Sequence, residues 1–317
     1  MRSPKRELPQ DPGAILHIPV LLPEVVSFLQ PRCGGVYVDC TLGDGGHAEA
    51  LLRHSAPDGM VIGIDRDPAA LAVASARLAE FGSRLRPVHA TFDRVAEVVR
   101  GEGFAAADGV LFDLGVSSRH LEEAGRGFSF LQDAPLDMRM DPTGGVTAAA
   151  LVATLTQEEL ERLLRDYGEE RFAGRIARAI VRERAQAPIE RTGQLASIVA
   201  GAVPPAYRHG RIHPATRTFQ ALRIAVNGEL DLLAAALRNG VAILHPGGRI
   251  VVISYHSLED RITKTLFREL AGIGFPAGEA PEPLLTLLTR KPVVPGEEEV
   301  AANPRARSAK LRAAERK

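Results

Sequence analysis

The chain has 317 residues, with 39 basic and 39 acidic side chains, so its formal net charge is zero. Hydrophobic residues make up 45% and charged residues 25%, which excludes an intrinsically disordered protein and a collagen-like scaffold. The length suffices for one large domain or two. A neutral total argues against a nucleic-acid partner only if the charges are spread evenly along the chain.

Targeting signals and cysteines indicate where the protein acts. The first residues carry no apolar segment typical of a signal peptide, and no run of 18 apolar residues predicts a membrane span. The two cysteines, Cys33 and Cys40, are too few for a disulfide framework. We therefore expect a cytoplasmic protein with no membrane partner.

The first part of the chain alternates short apolar segments with amphipathic ones, after a polar leader over 1–14. The last apolar segment is apolar throughout, as expected of a parallel strand that is buried on both faces. This alternation predicts an α/β protein with a Rossmann-like, doubly wound sheet and right-handed crossovers. The pattern predicts helices over 20–29, 47–54, 69–81 and 92–100, and strands over 36–40, 60–64, 86–90 and 109–113.

The alternation breaks after residue 121 and resumes near residue 213. The segment 122–150 is rich in Gly, Pro and Asp and looks irregular, and Thr156 with Glu159 forms a capping-box signature at the start of a helix. We therefore predict a catalytic domain built from 1–121 and 213–317, interrupted by a helical insertion over 122–212. The predicted elements are helices over 156–167, 171–184, 192–202, 214–238 and 258–270, a strand over 249–254, and edge strands within 284–294.

A glycine-rich turn follows the first predicted strand. Asp39, Gly43 and Gly45 have the spacing D-x-x-x-G-x-G, and Asp65 closes the next strand about twenty residues later. Glycines there let the backbone turn sharply and let a ligand approach, while a carboxylate at the second strand can accept ribose hydroxyls. The combination indicates a cofactor that contains adenosine, although the glycines alone could serve only a tight turn.

Two cofactors fit such a turn, and the flanking charges separate them. The dinucleotide fingerprint G-x-G-x-x-G requires a third glycine where this chain has Ala48. Asp39 and Asp44 flank the turn and disfavour a pyrophosphate, whereas they favour the cationic groups of S-adenosylmethionine. A methyltransferase is therefore favoured over an NAD-dependent oxidoreductase.

Seven long and unusual blocks stand along the chain. They are 113–118 (DLGVSS), 126–130 (RGFSF), 135–141 (PLDMRMD), 167–172 (YGEERF), 213–220 (HPATRTFQ), 255–261 (YHSLEDR) and 303–310 (NPRARSAK). Together they strongly resemble the MraW family, also called RsmH, and the resemblance runs from about residue 17 to residue 315. Members of this family use S-adenosylmethionine to methylate the exocyclic N4 of a cytidine in bacterial 16S ribosomal RNA. The resemblance therefore implies a class I S-adenosylmethionine-dependent methyltransferase fold with a helical insertion, and 16S rRNA of the small ribosomal subunit as partner.

The resemblance also implies a set of cofactor contacts. The family usually has a glutamine where this chain has His120, and a histidine can still make one hydrogen bond there. Phe92 would offer an apolar face to the adenine, although a core Phe after a strand is an equal alternative. The implied cofactor residues are Gly45, Gly46, His47, Asp65, Phe92, Asp113 and His120.

An exocyclic amine is a weak nucleophile because its lone pair is delocalised into the ring, so the site must hold the amine and accept its hydrogen bond. We place Asp113 at the methyl-transfer centre, with cofactor binding as its alternative role. Ser117 and Ser118 would contact the base, and so would His256 at the end of a later strand. The chain has no Pro-Pro-aromatic motif after the fourth strand, so the mechanism of DNA amino-methyltransferases does not transfer.

Aromatic rings in the insertion offer a second kind of base contact. Phe128 and Phe130 lie in a glycine-rich stretch, where an extruded base could stack on a ring. The alternative is that they are core residues beneath a loop. A polar stripe on the helix after His213, made of Thr216, Gln220, Arg223 and Asn227, is expected near the cleft.

The basic residues are not spread evenly. Residues 162–223 hold 12 arginines against 5 acidic residues, and residues 301–317 hold 6 basic residues against one acid. The remainder is acidic, so the neutral total does not exclude RNA, and the two basic segments are the parts expected to touch it. The predicted RNA-binding residues are Arg171, Arg175, Arg178 and Arg182, which share one helix face, together with Arg217. A solvated face is the alternative for the first four.

Two further possibilities are open at this point. A nonenzymatic RNA-binding or ribosome-assembly protein could retain a methyltransferase fold, and a homodimer is left open. No metal site is expected, because His209 and His213 stand four apart without the glutamate of an HExxH motif.

Overall fold

The computed structural model describes residues 19–208, 212–276, 279 and 281–317. The side chains of Ser118, Glu122 and Ala124 lie outside this description, although their backbones are included. The leader predicted over 1–14 also falls outside the described residues, and so does His209.

Within the described residues the strands form one seven-stranded sheet, in the order β3-β2-β1-β4-β5-β7-β6. The first five strands along the chain are mutually parallel, and β7 is antiparallel to both β5 and β6. Parallel strands present their carboxyl ends at one edge, which is where ligands bind in such sheets. The strands are β1 Val36–Asp39, β2 Met60–Asp65, β3 Leu85–His89, β4 Ala107–Asp113, β5 Leu244–Ser254, β6 Leu285–Leu287 and β7 Lys310–Arg316.

Helices cover both faces of the sheet, and a second group follows β4. Those packed on the sheet are α1 Leu22–Leu29, α2 Gly46–His54, α3 Pro68–Arg77, α4 Val95–Gly101, α12 Glu229–Ala242 and α13 Ser257–Leu270. The others are α5 Ser118–Glu122, α6 Ala148–Thr154, α7 Gln157–Gly168, α8 Ala173–Arg184, α9 Thr192–Ala202, α10 Pro205–Arg208, α11 Thr216–Asn227 and α14 Glu297–Ala302. The predicted capping box of Thr156 and Glu159 at the start of α7 is confirmed.

The single long helix predicted over 214–238 is wrong. Gly228 adopts a left-handed conformation with φ of 58°, which ends α11 and starts α12. Across this junction Arg223 donates two hydrogen bonds of 2.9 Å to the carboxylate of Glu229. Glycine adopts this conformation without the steric penalty of a Cβ, so the break occurs there.

The expectation that residues 301–317 touch RNA does not hold for Arg312 and Arg316, because the segment ends in β7, which lies between two other strands. Arg305 and Arg307 precede β7 and are exposed, so for them it stays a prediction. Arg312 is 8% exposed and binds Asp260 on α13, with Nε at 2.7 Å from Oδ1. Arg316 donates to the carbonyl of Ala242 at 2.8 Å. These arginines therefore fasten the sheet to its neighbours.

Buried side chains form separate cores. Two of them pack on the two faces of the sheet, one around Phe112 and the other around Tyr37. A third core draws on residues from Phe128 to Leu222 and lies among α6, α7, α8, α9 and α11. Because α11 belongs to this third core, we propose that the helical insertion extends to Gly228 rather than ending at residue 212.

No helix in the described ranges is both long enough and apolar enough to span a lipid bilayer.

Candidate active site at the carboxyl edge of the sheet

The glycine-rich turn between β1 and α2 is built around two residues with positive φ. Gly43 has φ of 52° and Gly45 has φ of 81°, which other residues rarely adopt. A Cβ on Gly45 would lie 2.8 Å from the Leu78 side chain, and one on Gly46 would lie 2.5 Å from Pro19. The turn is therefore held close to its neighbours, and α2 starts directly from it.

Asp65 ties the end of β2 to this turn. One carboxylate oxygen accepts the N–H of Gly43 at 2.8 Å, and the other accepts the N–H of Asp67 at 2.8 Å. Burial raises the pKa of Asp65 above its ordinary value. Each oxygen keeps further lone-pair capacity for a ligand hydroxyl.

Carboxylates accumulate beneath the turn. Asp39 is only 1% exposed, and burial, reinforced by the charges of Asp113 and Asp65, raises its pKa to about 6. His47 lies among them with Nε2 at 3.0 Å from the carbonyl of Val20 and Nδ1 at 3.6 Å from Asp113. Burial lowers the pKa of His47, so this histidine does not neutralise the acids at pH 7.

Asp113 ends β4 and is held from two sides. Its backbone N–H donates to the Thr41 hydroxyl at 2.7 Å, and its carboxylate accepts the Tyr255 hydroxyl at 2.8 Å. Burial and the charge of Asp113 raise the pKa of Tyr255 well above its ordinary value, so the phenol stays a donor. Tyr255 was not among the predicted site residues, although its place directly after β5 was a signal for it.

One cavity of roughly 1040 Å³, its open mouth included, is lined by His47, Asp65, Asp113 and Tyr255, whereas Asp39 is not among its lining residues. Six of the seven predicted cofactor residues line it directly: Gly46, His47, Asp65, Phe92, Asp113 and His120. Ser117 lines it too, whereas Gly45 is not among its lining residues. The wall also contains residues from outside the predicted set, chiefly Met140, Glu229, Leu230, Leu233, Tyr255 and Glu259.

Ser117 and His120 belong to the short helix α5. Ser117 is its N-cap, and its hydroxyl accepts the N–H of His120 at 3.3 Å. The His120 ring in turn lies 2.9 Å from the carboxylate of Asp67, which Arg126 also binds at 3.0 Å. Burial would raise the pKa of Asp67, but His120 and Arg126 together lower it to about 2. The side chain of Ser118 lies outside the described residues.

His256 is not among the residues that line the cavity. Its Nε2 lies 3.0 Å from a carboxylate oxygen of Glu259, and its side chain is mostly buried. Glu259 also accepts the backbone N–H of Tyr255 at 2.8 Å. Burial would raise the pKa of Glu259, but these hydrogen bonds and the charge of Arg223 lower it.

The two phenylalanines considered for base stacking pack inside the protein. Phe128 is buried, with its ring centroid 4.8 Å from that of His120. Phe130 lies between His213 and Phe219, at centroid distances of 4.6 and 4.8 Å. Phe128 belongs to the third core and Phe130, partly buried, packs against it, which favours the core alternative for each ring.

The polar stripe on α11 is largely internal. Asn227 is buried, donates to the carbonyl of Met138 at 2.8 Å and accepts the N–H of Met140 at 2.9 Å. Gln220 donates to the carbonyl of Tyr167 at 3.1 Å. Because Met140 lines the cavity, the stripe lies near the cleft as predicted. Its Asn227 and Gln220 side chains, however, bind backbone groups of neighbouring segments.

The predicted arginine row is exposed to solvent. Arg175 and Arg178 project from α8 and form no ion pair within the described ranges, while Arg182 pairs with Glu183 at 2.7 Å. Arg171 precedes the first residue of α8 and lies over the Phe172 ring. Opposite this row, Ile176 and Ile180 are fully buried. Arg217 on α11 is also exposed and donates to the carbonyl of Glu169 at 2.6 Å.

Among the residues that the structure describes, no group of three His, Cys, Asp or Glu side chains could hold a metal ion.

The sheet order, the glycine turn and the acids at the strand ends together define an α/β protein of the class I methyltransferase fold. The family model for the MraW methylase family matches residues 14–317. The chain therefore belongs to the MraW methylase family.

Curated relatives agree with this assignment. Ribosomal RNA small subunit methyltransferase H of Geobacter sulfurreducens is 57% identical over 307 residues, covering 95% of this chain and 98% of that protein. The protein of the same name from Thermomicrobium roseum is 52% identical over 313 residues, covering 97% of this chain and 95% of its own length. A solved rRNA methylase from Streptococcus thermophilus covers 96% of this chain and 99% of its own at 12% identity, with a TM-score of 0.44, too distant to add to the assignment.

Proposed function

We propose that the protein uses S-adenosylmethionine to methylate the exocyclic N4 of a cytidine in 16S ribosomal RNA of the small subunit. The observation that carries the proposal is the acid-lined cavity beneath the glycine turn, in a chain that belongs to a methylase family. The name of the relatives, ribosomal RNA small subunit methyltransferase H, supports the RNA substrate. The cytidine and its N4 rest on the family resemblance.

The charges of the cavity fit a cationic cofactor. Asp39, Asp65 and Asp113 are gathered at one strand edge, and the pKa of Asp39 is raised to about 6 because ionisation there is costly. A bound cation would relieve that cost, whereas the pyrophosphate of NAD would add to it. When bound, S-adenosylmethionine supplies an electrophilic methyl group. The residues proposed to hold it are Gly45, Gly46, His47, Asp65, Phe92, Asp113 and His120.

The chain's own groups would prepare the amine. Tyr255 donates to one oxygen of Asp113 at 2.8 Å, which fixes the carboxylate while leaving it acceptor capacity toward the amine. Accepting a hydrogen bond from the amine helps to localise its lone pair. Ser117 lines the same cavity and would contact the base, and Ser118 stays a prediction. His256 also stays a prediction, with its ring against Glu259.

The substrate would reach this cavity across the insertion. The exposed arginines of the row, Arg171, Arg175, Arg178 and Arg182, together with Arg217, are proposed to contact RNA phosphates. Because the proposed substrate is a ribosomal subunit, we also propose a cytoplasmic location. A homodimer stays a prediction, which sedimentation of the purified protein would test.

The decisive experiment is methyl transfer to 30S subunits from a strain that lacks this modification, followed by mapping of the modified nucleotide. We expect one methyl group on the N4 of one cytidine. Replacing Asp113 with Asn should slow single-turnover transfer or weaken cofactor binding by at least tenfold, because the carboxylate serves one of these steps. The exposed Asp166→Asn change is the matched control and should alter neither.

Two outcomes would contradict the proposal. Subunit binding without any methyl transfer by the wild-type protein would favour the assembly-factor alternative. An Asp113→Asn protein with unchanged transfer rate and unchanged cofactor affinity would remove Asp113 from both of its proposed roles.

A further inference from the structure

Methylation of an amine releases a proton, and the ring of His47 faces the carboxylate that would receive it first. His47 is the second residue of α2, is 6% exposed and lines the cavity. Its Nε2 lies 3.0 Å from the carbonyl oxygen of Val20, and a carbonyl can only accept a hydrogen bond. Nε2 therefore carries the ring hydrogen, and in the neutral ring Nδ1 presents a lone pair.

The nitrogen with the lone pair lies beside Asp113. Nδ1 of His47 is 3.6 Å from Oδ2 of Asp113, while Tyr255 donates to the other oxygen, Oδ1, at 2.8 Å. With the ring neutral, Nδ1 and Oδ2 are both acceptors, so a separation longer than a hydrogen bond is expected. A proton added to Oδ2 would supply the missing hydrogen, and such contacts shorten when the reacting groups are in place. The pair can therefore hold one proton between them.

Acidic groups around the ring oppose the effect of burial. Burial lowers the pKa of His47, and the charge of Asp39 raises it. The ring is therefore neutral at pH 7, yet it has acids beside it that would stabilise an imidazolium. The titratable groups of this cluster are Asp39 on β1, Asp65 on β2, Asp113 on β4, Tyr255 after β5, and Glu299 on α14, which accepts the N–H of Leu21 beside Val20.

Methyl transfer changes the charge that these acids face. Before transfer they face the sulfonium cation of S-adenosylmethionine, and afterwards they face a neutral thioether. The methylated amine carries the positive charge instead. Its lone pair is then withdrawn from the ring of the base, so the amine is a strong acid that even a weak base can deprotonate. A proton kept on His47 would return a positive charge to the acids.

We propose that His47 accepts the proton released by methyl transfer, by way of Asp113. The inference rests on the proposed function, because it names the proton acceptor of the same reaction. As the bond from the amine nitrogen to the methyl carbon forms, the carbon–sulfur bond breaks and its electron pair stays on sulfur. One proton then moves from the methylated amine to Oδ2 of Asp113 and on to Nδ1 of His47, which leaves a carboxylate and an imidazolium. The proton passes to water when the products leave.

The first test needs no turnover. Nitrogen NMR of protein with labelled histidines reports which ring nitrogen carries hydrogen and at which pH the ring is protonated. For His47 we expect the Nε2–H form at pH 7, in the free protein and with S-adenosylhomocysteine. The ring should protonate at a higher pH with S-adenosylhomocysteine than with sinefungin, a cofactor analogue that has a charged amine in place of the sulfonium. His245, which binds Asp108 at the amino edge of the sheet, is the internal control and should not respond.

The second test removes the basic nitrogen but keeps the contact with Val20. In His47→Gln the amide can still donate to the Val20 carbonyl. Single-turnover transfer to 30S subunits at saturating cofactor should slow about a hundredfold, the lower end of what a positioned proton acceptor contributes. Affinity for S-adenosylhomocysteine should stay close to that of the wild type. His54→Gln, an exposed change at the other end of α2, is the matched control and should alter neither.

The pH profile distinguishes His47 from the other acid of the cluster that titrates nearby. The wild-type rate should fall as pH drops through the pKa of His47, because only the neutral ring accepts a proton. His47→Gln should lose this dependence. Asp39→Asn should keep it at a lower pH, because the charge of Asp39 raises the pKa of His47, although Asp39 itself titrates near 6.

The possible failures have different signatures. If the wild type binds S-adenosylhomocysteine but transfers no methyl group, the proposed function fails, while NMR still tests the state of His47. If His47→Gln transfers at the wild-type rate, or if Nδ1 carries the ring hydrogen, the inference is overturned. It is also overturned if the pH dependence survives in His47→Gln and disappears in Asp39→Asn. Equal losses of transfer rate and cofactor affinity in His47→Gln would show that the ring only holds the cofactor, which overturns it too.

Discussion

Two arginine-rich regions that look alike in sequence have opposite surroundings in the fold. On α8, Arg175 and Arg178 point into solvent, and neither forms an ion pair within the described ranges. On β7, Arg312 is 8% exposed and is bound to Asp260. Local charge therefore indicates an RNA surface only once the element that carries it is known.

The reason lies in the two periodicities. Spacings of three and four keep all arginines of a helix on the side away from its apolar stripe, here Ile176 and Ile180. A strand alternates its side chains between two faces, and β7 has a neighbouring strand on each side. A basic residue in such a strand meets covering helices, so it needs a buried partner such as Asp260.

The largest effect is expected at the buried arginine. Replacing Arg312 with Ala should lower the free energy of unfolding by about 3–5 kcal/mol, because Asp260 is left without its main partner. Urea denaturation measures this loss. Lys310→Ala, which removes a weaker contact of 3.6 Å to the same carboxylate, is the control and should cost under about 1 kcal/mol. If the Arg312→Ala protein had normal stability but reduced RNA affinity, the result would show that β7 contacts RNA and would contradict this prediction.

Replacing the buried acid Asp39 should have the opposite effect on stability from replacing Arg312, because Asp39 has no bound cation beside it. The pKa of Asp39 is raised to about 6, so its contribution to stability is complete below its ordinary pKa and is lost as pH rises through 6. At pH 7.5 and without cofactor, Asp39→Asn should therefore be more stable than the wild type by up to about 3 kcal/mol. At pH 4 the two should be nearly equal.

Unfolding in urea at both pH values checks this prediction, with Asp166→Asn as the exposed control. The wild type should also bind S-adenosylmethionine more tightly as pH rises from 5 to 7.5, and Asp39→Asn should weaken that dependence. Equal pH profiles for the wild type and the Asp39 variant would show that the acid cluster has no such role.

The smallest change in stability is expected on α8. Replacing Arg175 and Arg178 with Ala should alter the free energy of unfolding by less than about 0.5 kcal/mol, because both side chains are exposed. Affinity for 30S subunits should nevertheless fall several-fold, with a log–log salt slope shallower by about 1.4. An unchanged salt slope would mean that the row is a solvated face.

Local patterns predicted the first half of the sheet well. The four apolar segments became β1 to β4, and the turn residues Gly43 and Gly45 adopt the positive φ that their type suggested. These features depend on neighbours along the chain. Asp65 was predicted to bind the cofactor from its place at the end of the second strand, whereas Asp113 rested on the family resemblance. The fold brings both to one cavity, because the carboxyl ends of parallel strands meet at one edge.

Features that depend on distant partners were missed. The break at Gly228 was missed because the helical periodicity continues through this glycine. The ion pair between Arg223 and Glu229 across the break depends on the tertiary fold. The strand β7 reads as a charged segment until its neighbours β5 and β6 are known. The site residues Tyr255 and Asp67 are defined by their hydrogen bonds to Asp113 and His120, although the Asp-Pro pair at 67–68 does signal the start of α3.

The pairing of β4 with β5 has a consequence for the order of folding. Asp113 lies beside Ile253 in the sheet, yet the whole helical insertion separates these residues along the chain. Closing so long a loop costs conformational entropy before any sheet contact forms, which slows folding. Because the insertion has its own core, its early folding would bring the two strands together in advance. The insertion can thus act as an internal scaffold that shortens the search for the central strand pair.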